Sequence, residues 1–306
     1  MIPYNISDLR RAKKEPKIVL REINKQIYTS FGRYESNPDG RSIFEEDWDN
    51  LLIFDACRYD FFEQQSELPG ELRSRITLGS CTPEFIEYNF RNRQLHDTVY
   101  ITANSWFLKL RKDINSEVHD LYDLLSSPER KYSDPEHKIV LADTITNVAK
   151  EANERYPNKR LIVHFIQPHH PFVGSTGEEY FEMDSSSLRE VIRNEPTATR
   201  DLVAQAYSEN VDHVLSATED LLPELKGKTI ITADHGEMLG ERHEFIPIRE
   251  YGHPPGIWSD ILTTVPWHVH TDGSRKNIIS ERPIHNDDTL TSYKVDERLK
   301  TLGYKM

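Results

Sequence analysis

Five short polar clusters, each following an apolar run or a turn, hold side chains able to do chemistry. They are Asp55-Ala-Cys57-Arg58-Tyr-Asp60, Ser80-Cys81-Thr82-Pro83, Gln167-Pro-His169-His170-Pro-Phe172, Asp234-His235-Gly236-Glu237, and His253 within Tyr-Gly-His-Pro-Pro-Gly. Singly, each has a plain structural explanation: an Asp after a strand caps a helix, and a lone His is a satisfied structural residue. Brought together, two carboxylates and three or four imidazoles would repel one another or lie unpaired without a cation, so a metal site is the better explanation. Carboxylate plus imidazole ligation favours Zn²⁺ or Mn²⁺, with Mg²⁺ or Ca²⁺ as lesser choices. Ser80-Cys81-Thr82 adds candidate nucleophiles. Pro83 suits the first turn of a helix, whose N–H groups and positive dipole end would favour an oxyanion there. A hydroxyl or thiol held by a metal ion at that place is deprotonated near neutral pH. Read alone, the segment is an ordinary Ser/Thr helix cap.

The elements that must position these clusters alternate along the chain. Asn50 to Phe54, Val99 to Thr102, Leu161 to Ile166 and Thr229 to Thr232 read as strands. Arg58 to Gln65, Pro83 to Asn92, Ile139 to Tyr156 and Leu202 to Leu222 read as helices. Such alternation predicts an α/β fold, a mainly parallel sheet covered on both faces, with its ligand site beyond the carboxyl ends of the strands. The clusters then converge on one sheet edge. The polar stretch 173–198 is long for a connection and reads as a lid or substrate loop.

The chain has 306 residues, a net charge of −13 and two cysteines. The acidic balance excludes a nucleic-acid binder, and so few cysteines exclude a disulfide scaffold. No apolar run is long enough to span a bilayer and no secretory leader is legible at the N-terminus, so the expected location is cytoplasmic. The charge is uneven: residues 1–33 carry eight bases and three acids, a local +5 that leaves −18 for the rest. Residues 1–40 are expected to form a basic helix and linker, and 41–306 a single catalytic domain. Ile18, Leu20, Ile23 and Ile27 recur at near-helical spacing among the bases, which suits either a helix packed on the domain or a peripheral contact of residues 1–33 with the anionic cytoplasmic membrane face.

The order of clusters resembles the sulfatase and alkaline-phosphatase superfamily of metal-dependent phosphoryl and sulfuryl transfer enzymes. Asp55 to Asp60 resembles its first-strand metal motif, Cys81-Thr-Pro83 the start of the sulfatase nucleophile motif, and Pro168-His169-His-Pro-Phe172 a substrate-contacting His motif. Thr232-Ala-Asp234-His235-Gly236-Glu237 is similar to its metal-binding Asp-His signature. Gly252-His253, Trp258-Ser-Asp260 and Val265-Pro266 resemble its late His segment. The resemblance spans residues 50–267 and implies a three-layer αβα sandwich of alkaline-phosphatase type. It implies Asp55, Asp234 and His235 as ligands of one metal ion, with the nucleophile as the fourth. His169, His253 and Arg58 become contacts to the phosphate or sulfate, the two histidines being able instead to complete a second metal site. Because the motif that supplies Asp and His to a second metal in nucleotide pyrophosphatases is not matched, one ion is expected before two. Alignment on Pro83 puts Cys81 first as nucleophile, then Thr82, then Ser80. Phe85 stands where the sulfatase cysteine-modifying enzyme reads Arg.

The expected function is therefore a metal-dependent hydrolase or transferase of a phosphate ester, an anionic substrate on a glycan or a lipid-linked sugar. A sulfatase with modified Cys81 and a catalytically silent binding protein on the same fold are the alternatives.

Overall fold

The computed structural model describes residues 16–127, 131–181, 187–195, 197–284 and 299. A helix, α1 (Lys17–Tyr28), precedes β1 (Asn50–Asp55), α2 (Tyr59–Gln65), β2 (Glu71–Ile76), α3 (Thr82–Phe90), β3 (Gln94–Thr102), α4 (Trp106–Leu110) and β4 (Glu117–Asp123). There follow α5 (Ala142–Arg155), β5 (Arg160–Pro168), α6 (Ser175–Tyr180), α7 (Leu188–Asn194), α8 (Arg200–Leu221), β6 (Gly227–Ala233), β7 (Met238–Arg242), β8 (Arg249–Gly252), α9 (Asp260–Thr263) and β9 (Thr264–Asp272).

Seven strands form one sheet in the order β2-β9-β6-β1-β5-β3-β4. The pairs β1–β5, β1–β6, β3–β5 and β3–β4 are parallel, and β9 runs antiparallel to both β6 and β2. Only β9 opposes the rest. Hence β1, β5, β6 and β2 all deliver their carboxyl ends to one edge, and with them four of the five clusters.

Side chains of β1 alternate between two cores, as the pleat requires. Leu52 and Phe54 pack with α5, α8 and Phe62 of α2, whereas Leu51 and Ile53 pack with Phe85, Ile86 and Phe90 of α3 and Trp106 and Phe107 of α4. This is the expected three-layer αβα sandwich. The central strand is buried along its whole length, which explains its unbroken apolar run.

Three sheet strands lack the expected sequence signal. β2 and β4 lie at the two edges of the sheet and carry polar, partly exposed residues, so neither shows a clean alternation. β9 contains Pro266 inside its register with β2, a residue that argues against a strand.

α1 docks through its polar residues. Arg21 pairs with the buried Glu250, and the fully buried Asn24 exchanges two hydrogen bonds with the backbone of Ile246, at 3.0 and 2.8 Å. Val19 and Ile23 face outward, 44% and 42% exposed. The expected arrangement, with apolar residues inward, is thus partly reversed because the surface it meets offers a carboxylate and open backbone groups. The stretch 173–198 contains α6 and α7; 182–186 and 196 lie outside the described residues, as do 1–15 of the basic N-terminus. Among the described residues no helix is long and apolar enough to cross a membrane.

Candidate functional site

The carboxyl ends of β1 and β6 place Asp55 and Asp234 side by side at the sheet edge, both fully buried. Asp234 Oδ1 accepts hydrogen bonds from the backbone N–H of Ala56 and of His235, each 2.9 Å. Asn104, after β3, donates to Asp55 Oδ2 at 2.7 Å. The next residue, His235, turns its ring back: Nδ1 donates to the carbonyl of Gly236 at 2.8 Å, which leaves Nε2 as the basic nitrogen. That nitrogen lies 3.3 Å from Asp234 Oδ2 and 3.6 Å from Asp55 Oδ1.

Electrostatics favour ligand-competent forms. Burial disfavours the Asp234 carboxylate, yet His235, His164 and the Ala56 N–H outweigh it and hold its pKa below the usual range. Burial lowers His235 to about 4, Asp234 opposing, so the imidazole is neutral at pH 7.

The candidate nucleophiles separate cleanly. Ser80 Oγ donates to the carbonyl of Pro254 at 3.0 Å and also contacts Glu84, so it braces the loop. Cys81 is the extended residue before α3 and lines the cleft above the site; burial, with Glu84 nearby, pushes its thiol well above its ordinary pKa. Thr82 is the first residue of α3, fully buried, with Oγ1 3.3 Å from His235 Nε2. Cys57 and Cys81 are both buried free thiols.

Arg58 is drawn elsewhere. It pairs with Asp60 at 2.6 Å and Glu241 at 2.7 Å and is not among the residues lining the cleft. Its guanidinium ties the β1 turn to β7.

His169 and His253 meet over the site, with ring centroids 5.1 Å apart, and His253 lies 4.3 Å from the His235 ring. Glu237 accepts from His253 Nδ1 at 3.2 Å with either oxygen. Burial lifts Glu237 to about 7. A cleft of about 700 Å³ opens here, lined by Cys81, His169 and His253 together with Arg21 of α1 and Arg189 of α7.

Sequence reasoning named His170 and Glu237 within their clusters without giving either a role, and passed over His164 and Asn104. His164 sits inside β5, 1% exposed, with Nδ1 2.9 Å from Tyr100 Oη. Its Nε2 lies 3.7 Å from Asp234 Oδ2, and neither atom makes a hydrogen bond. Asp55, His164 and Asp234 present ligand atoms all within 4.8 Å of one another. Two buried polar atoms left unsatisfied in such a cage are costly unless a cation joins them. The donor set therefore fits a divalent ion, with His235 and Thr82 at its margin.

No family model and no curated protein matches the chain. Solved structures do. The soluble domain of lipooligosaccharide phosphoethanolamine transferase A from Neisseria meningitidis is 14% identical over 83% of this chain and 86% of that one, with a TM-score of 0.48. The C-terminal periplasmic domain of EcEptC from Escherichia coli, in complex with Zn, is 14% identical over 78% and 76%, with a TM-score of 0.43. A phosphonate monoester hydrolase of Agrobacterium radiobacter is 12% identical over 74% and 68%, with a TM-score of 0.42. At these identities the likeness is one of fold alone. The expected cytoplasmic location is withdrawn: charge and composition do not report a compartment, and the Escherichia coli neighbour is itself described as a periplasmic domain.

Proposed function

We propose that this chain is a metal-dependent phosphoryl-transfer enzyme, a hydrolase or transferase of phosphate esters on a glycan or lipid-linked substrate, with Thr82 as its nucleophile. The observation that carries this reading is the 3.3 Å approach of Thr82 Oγ1 to His235 Nε2, beside the Asp55–His164–Asp234 cage and at the start of a nine-residue helix. Asp55, Asp234 and His235 would hold one Zn²⁺ or Mn²⁺ ion, with Thr82 as a further ligand. When bound, such an ion polarises an ester oxygen and favours the alkoxide over the hydroxyl.

The chain's own residues account for the remaining requirements. The positive end of the α3 dipole would favour an anionic oxygen held beside Thr82. Glu237 holds His253 through Nδ1 at 3.2 Å, and His253 lines the cleft. His169 also lines the cleft, and in this reading the two imidazoles contact ester oxygens. The sulfatase alternative loses ground because Phe85, standing at the Arg position of the modification motif, is 1% exposed within the α3 core.

A lipid-linked substrate also gives the outward face of α1 a use. Val19 and Ile23 are exposed on the helix that walls the cleft through Ile18 and Arg21, and the basic N-terminus favours an anionic surface.

The reading is tested with bis-p-nitrophenyl phosphate in the presence of Zn²⁺ or Mn²⁺. Thr82→Ala and Asp234→Ala should each abolish turnover, while Cys81→Ser should retain it. Turnover that survives Thr82→Ala and disappears in Cys81→Ser would sink the assignment.

A further inference from the structure

Helix α8 carries two polar side chains, Tyr207 and Asn210, three positions apart on one face and both fully buried. Neither lines the cleft, and each binds the backbone of a different site loop. Tyr207 Oη donates to the carbonyl of Ala56 at 2.7 Å and accepts from the Arg58 N–H at 2.9 Å, which closes the turn after β1. Asn210 Nδ2 donates to the carbonyls of Pro168, His169 and Pro171 at 3.2, 3.2 and 3.1 Å in the loop after β5. Its Oδ1 accepts from the Val173 N–H at 2.8 Å. We infer, on the proposed reading of Asp234 as a metal ligand, that Tyr207 is the positioning residue for that carboxylate and acts through Ala56.

Ala56 joins the two. Its φ of 61° lies in the left-handed region, which a residue with a Cβ keeps only where its surroundings hold it there. In that conformation its N–H donates to Asp234 Oδ1 at 2.9 Å while its carbonyl accepts from Tyr207. Burial keeps the Tyr207 hydroxyl protonated, so it remains a donor to that carbonyl. The His235 N–H is a second donor to Asp234 Oδ1. One carboxylate oxygen is thus occupied by backbone, and Oδ2, which makes no hydrogen bond, faces His235 Nε2 at 3.3 Å and His164 Nε2 at 3.7 Å. Without the brace, Ala56 would relax toward negative φ and withdraw its N–H. The carboxylate could then rotate, and the oxygen offered to an ion would no longer be fixed.

Asn210 is the comparison within the same helix. It is as deeply buried as Tyr207, but its hydrogen bonds go to residues 168–173, none of which belongs to the Asp55–His164–Asp234 cage. Its link toward the cage is the main-chain bond from the His169 N–H to the Asp55 carbonyl, while the Asp55 carboxylate itself is held by Asn104.

The test is competition for Zn²⁺ between the full chain and a chelator of known affinity, with the unfolding midpoint recorded for each protein. Tyr207→Phe should weaken zinc binding about 10-fold, the low end of the cost of losing a supporting group at a metal site. Asn210→Ser should lower the unfolding midpoint and leave zinc affinity unchanged. Adding Ala56→Gly to Tyr207→Phe should restore zinc binding, since glycine holds a positive φ without a brace. Unchanged affinity in Tyr207→Phe, an equal loss in Asn210→Ser, or no recovery in the double variant would each overturn the inference. Should Tyr207→Phe alone fail to fold, the double variant is compared with wild type: equal affinity supports the role of Tyr207, and a loss of about 10-fold overturns it. A wild-type chain that binds zinc in this pattern yet turns over no phosphate ester would count against the proposed function and leave the role of Tyr207 standing. Intact turnover with equal zinc affinity in Tyr207→Phe and wild type would do the reverse.

Discussion

Thr82 Oγ1 lies 3.3 Å from His235 Nε2, although the two residues are 153 positions apart in the chain. The contact exists because β2 and β6 run in the same direction on either side of β9, so the loop after β2 and the turn after β6 leave the sheet at one edge. A hydroxyl at the first position of α3 is therefore fixed against the basic nitrogen of a histidine whose other nitrogen is already committed to Gly236.

From that contact follows a ranking of substitutions. Thr82→Ala removes the reacting oxygen and should lower kcat/KM by at least ~100-fold, within the range seen when a positioned catalytic group is lost. Thr82→Ser keeps the oxygen and should retain measurable turnover. Cys81→Ser should stay within several-fold of wild type, since burial keeps that thiol protonated. Steady-state rates with bis-p-nitrophenyl phosphate decide among these outcomes.

How much of this was legible in the sequence depends on where each residue lies along its strand. Asp55, His169 and Asp234 are readable because each ends an apolar run, the place where parallel sheets present ligands. His164 is hidden, because in Leu161 to Ile166 it occupies an inward position of the strand and looks like core. Its role depends on Asp234, which lies one strand beyond the neighbouring β1 and is joined to it only by folding. The choice among Ser80, Cys81 and Thr82 turns on where α3 begins: Cys81 is extended and Thr82 is helical, a one-residue distinction that propensity does not resolve. Arg58 illustrates the opposite case, where a motif position is legible but its partner, Glu241, is distant in sequence.

His164 should prove a contributor to metal affinity. Its Nε2 meets Asp234 Oδ2 across 3.7 Å in a fully buried setting, and Tyr100 holds its other nitrogen. His164→Gln should weaken Zn²⁺ binding by roughly 10–100-fold, the usual cost of losing a supporting group at a metal site. Competition with a chelator of known affinity measures this, and an unchanged dissociation constant would show that His164 is only a core residue.

The outward apolar face of α1 predicts a vesicle interaction that can be tested without deleting the helix, which Arg21 and Asn24 anchor to the domain. Val19→Glu with Ile23→Glu should reduce co-sedimentation with phosphatidylglycerol vesicles at low salt, while soluble-ester turnover stays unchanged. Added salt should weaken wild-type binding too, because part of the attraction is between exposed charges. Equal sedimentation of variant and wild type would remove α1 from the contact.

Glu250 provides a stability prediction with a defined sign. Its side chain is 2% exposed and is reached by Arg21 of α1, Arg189 of α7 and His243 after β7, so one carboxylate joins three segments around the cleft. Burial alone would raise its pKa, but His243, Arg21 and Arg189 outweigh burial and bring it down from 4.5 to about 2. A folded-state pKa below the unfolded value means that the unfolded chain binds the extra proton first. The contribution is therefore complete above about pH 5, declines as pH falls through 4.5, and is gone below about pH 2. At neutral pH it amounts to about 3 kcal/mol, an upper figure for a group this well paired. Glu250→Gln should lower the unfolding free energy near pH 7 and flatten its decline between pH 5 and 2. Denaturant titrations of both proteins at pH 7, 4 and 3 measure the two slopes, and parallel slopes would show that the acid sensitivity arises from other carboxylates.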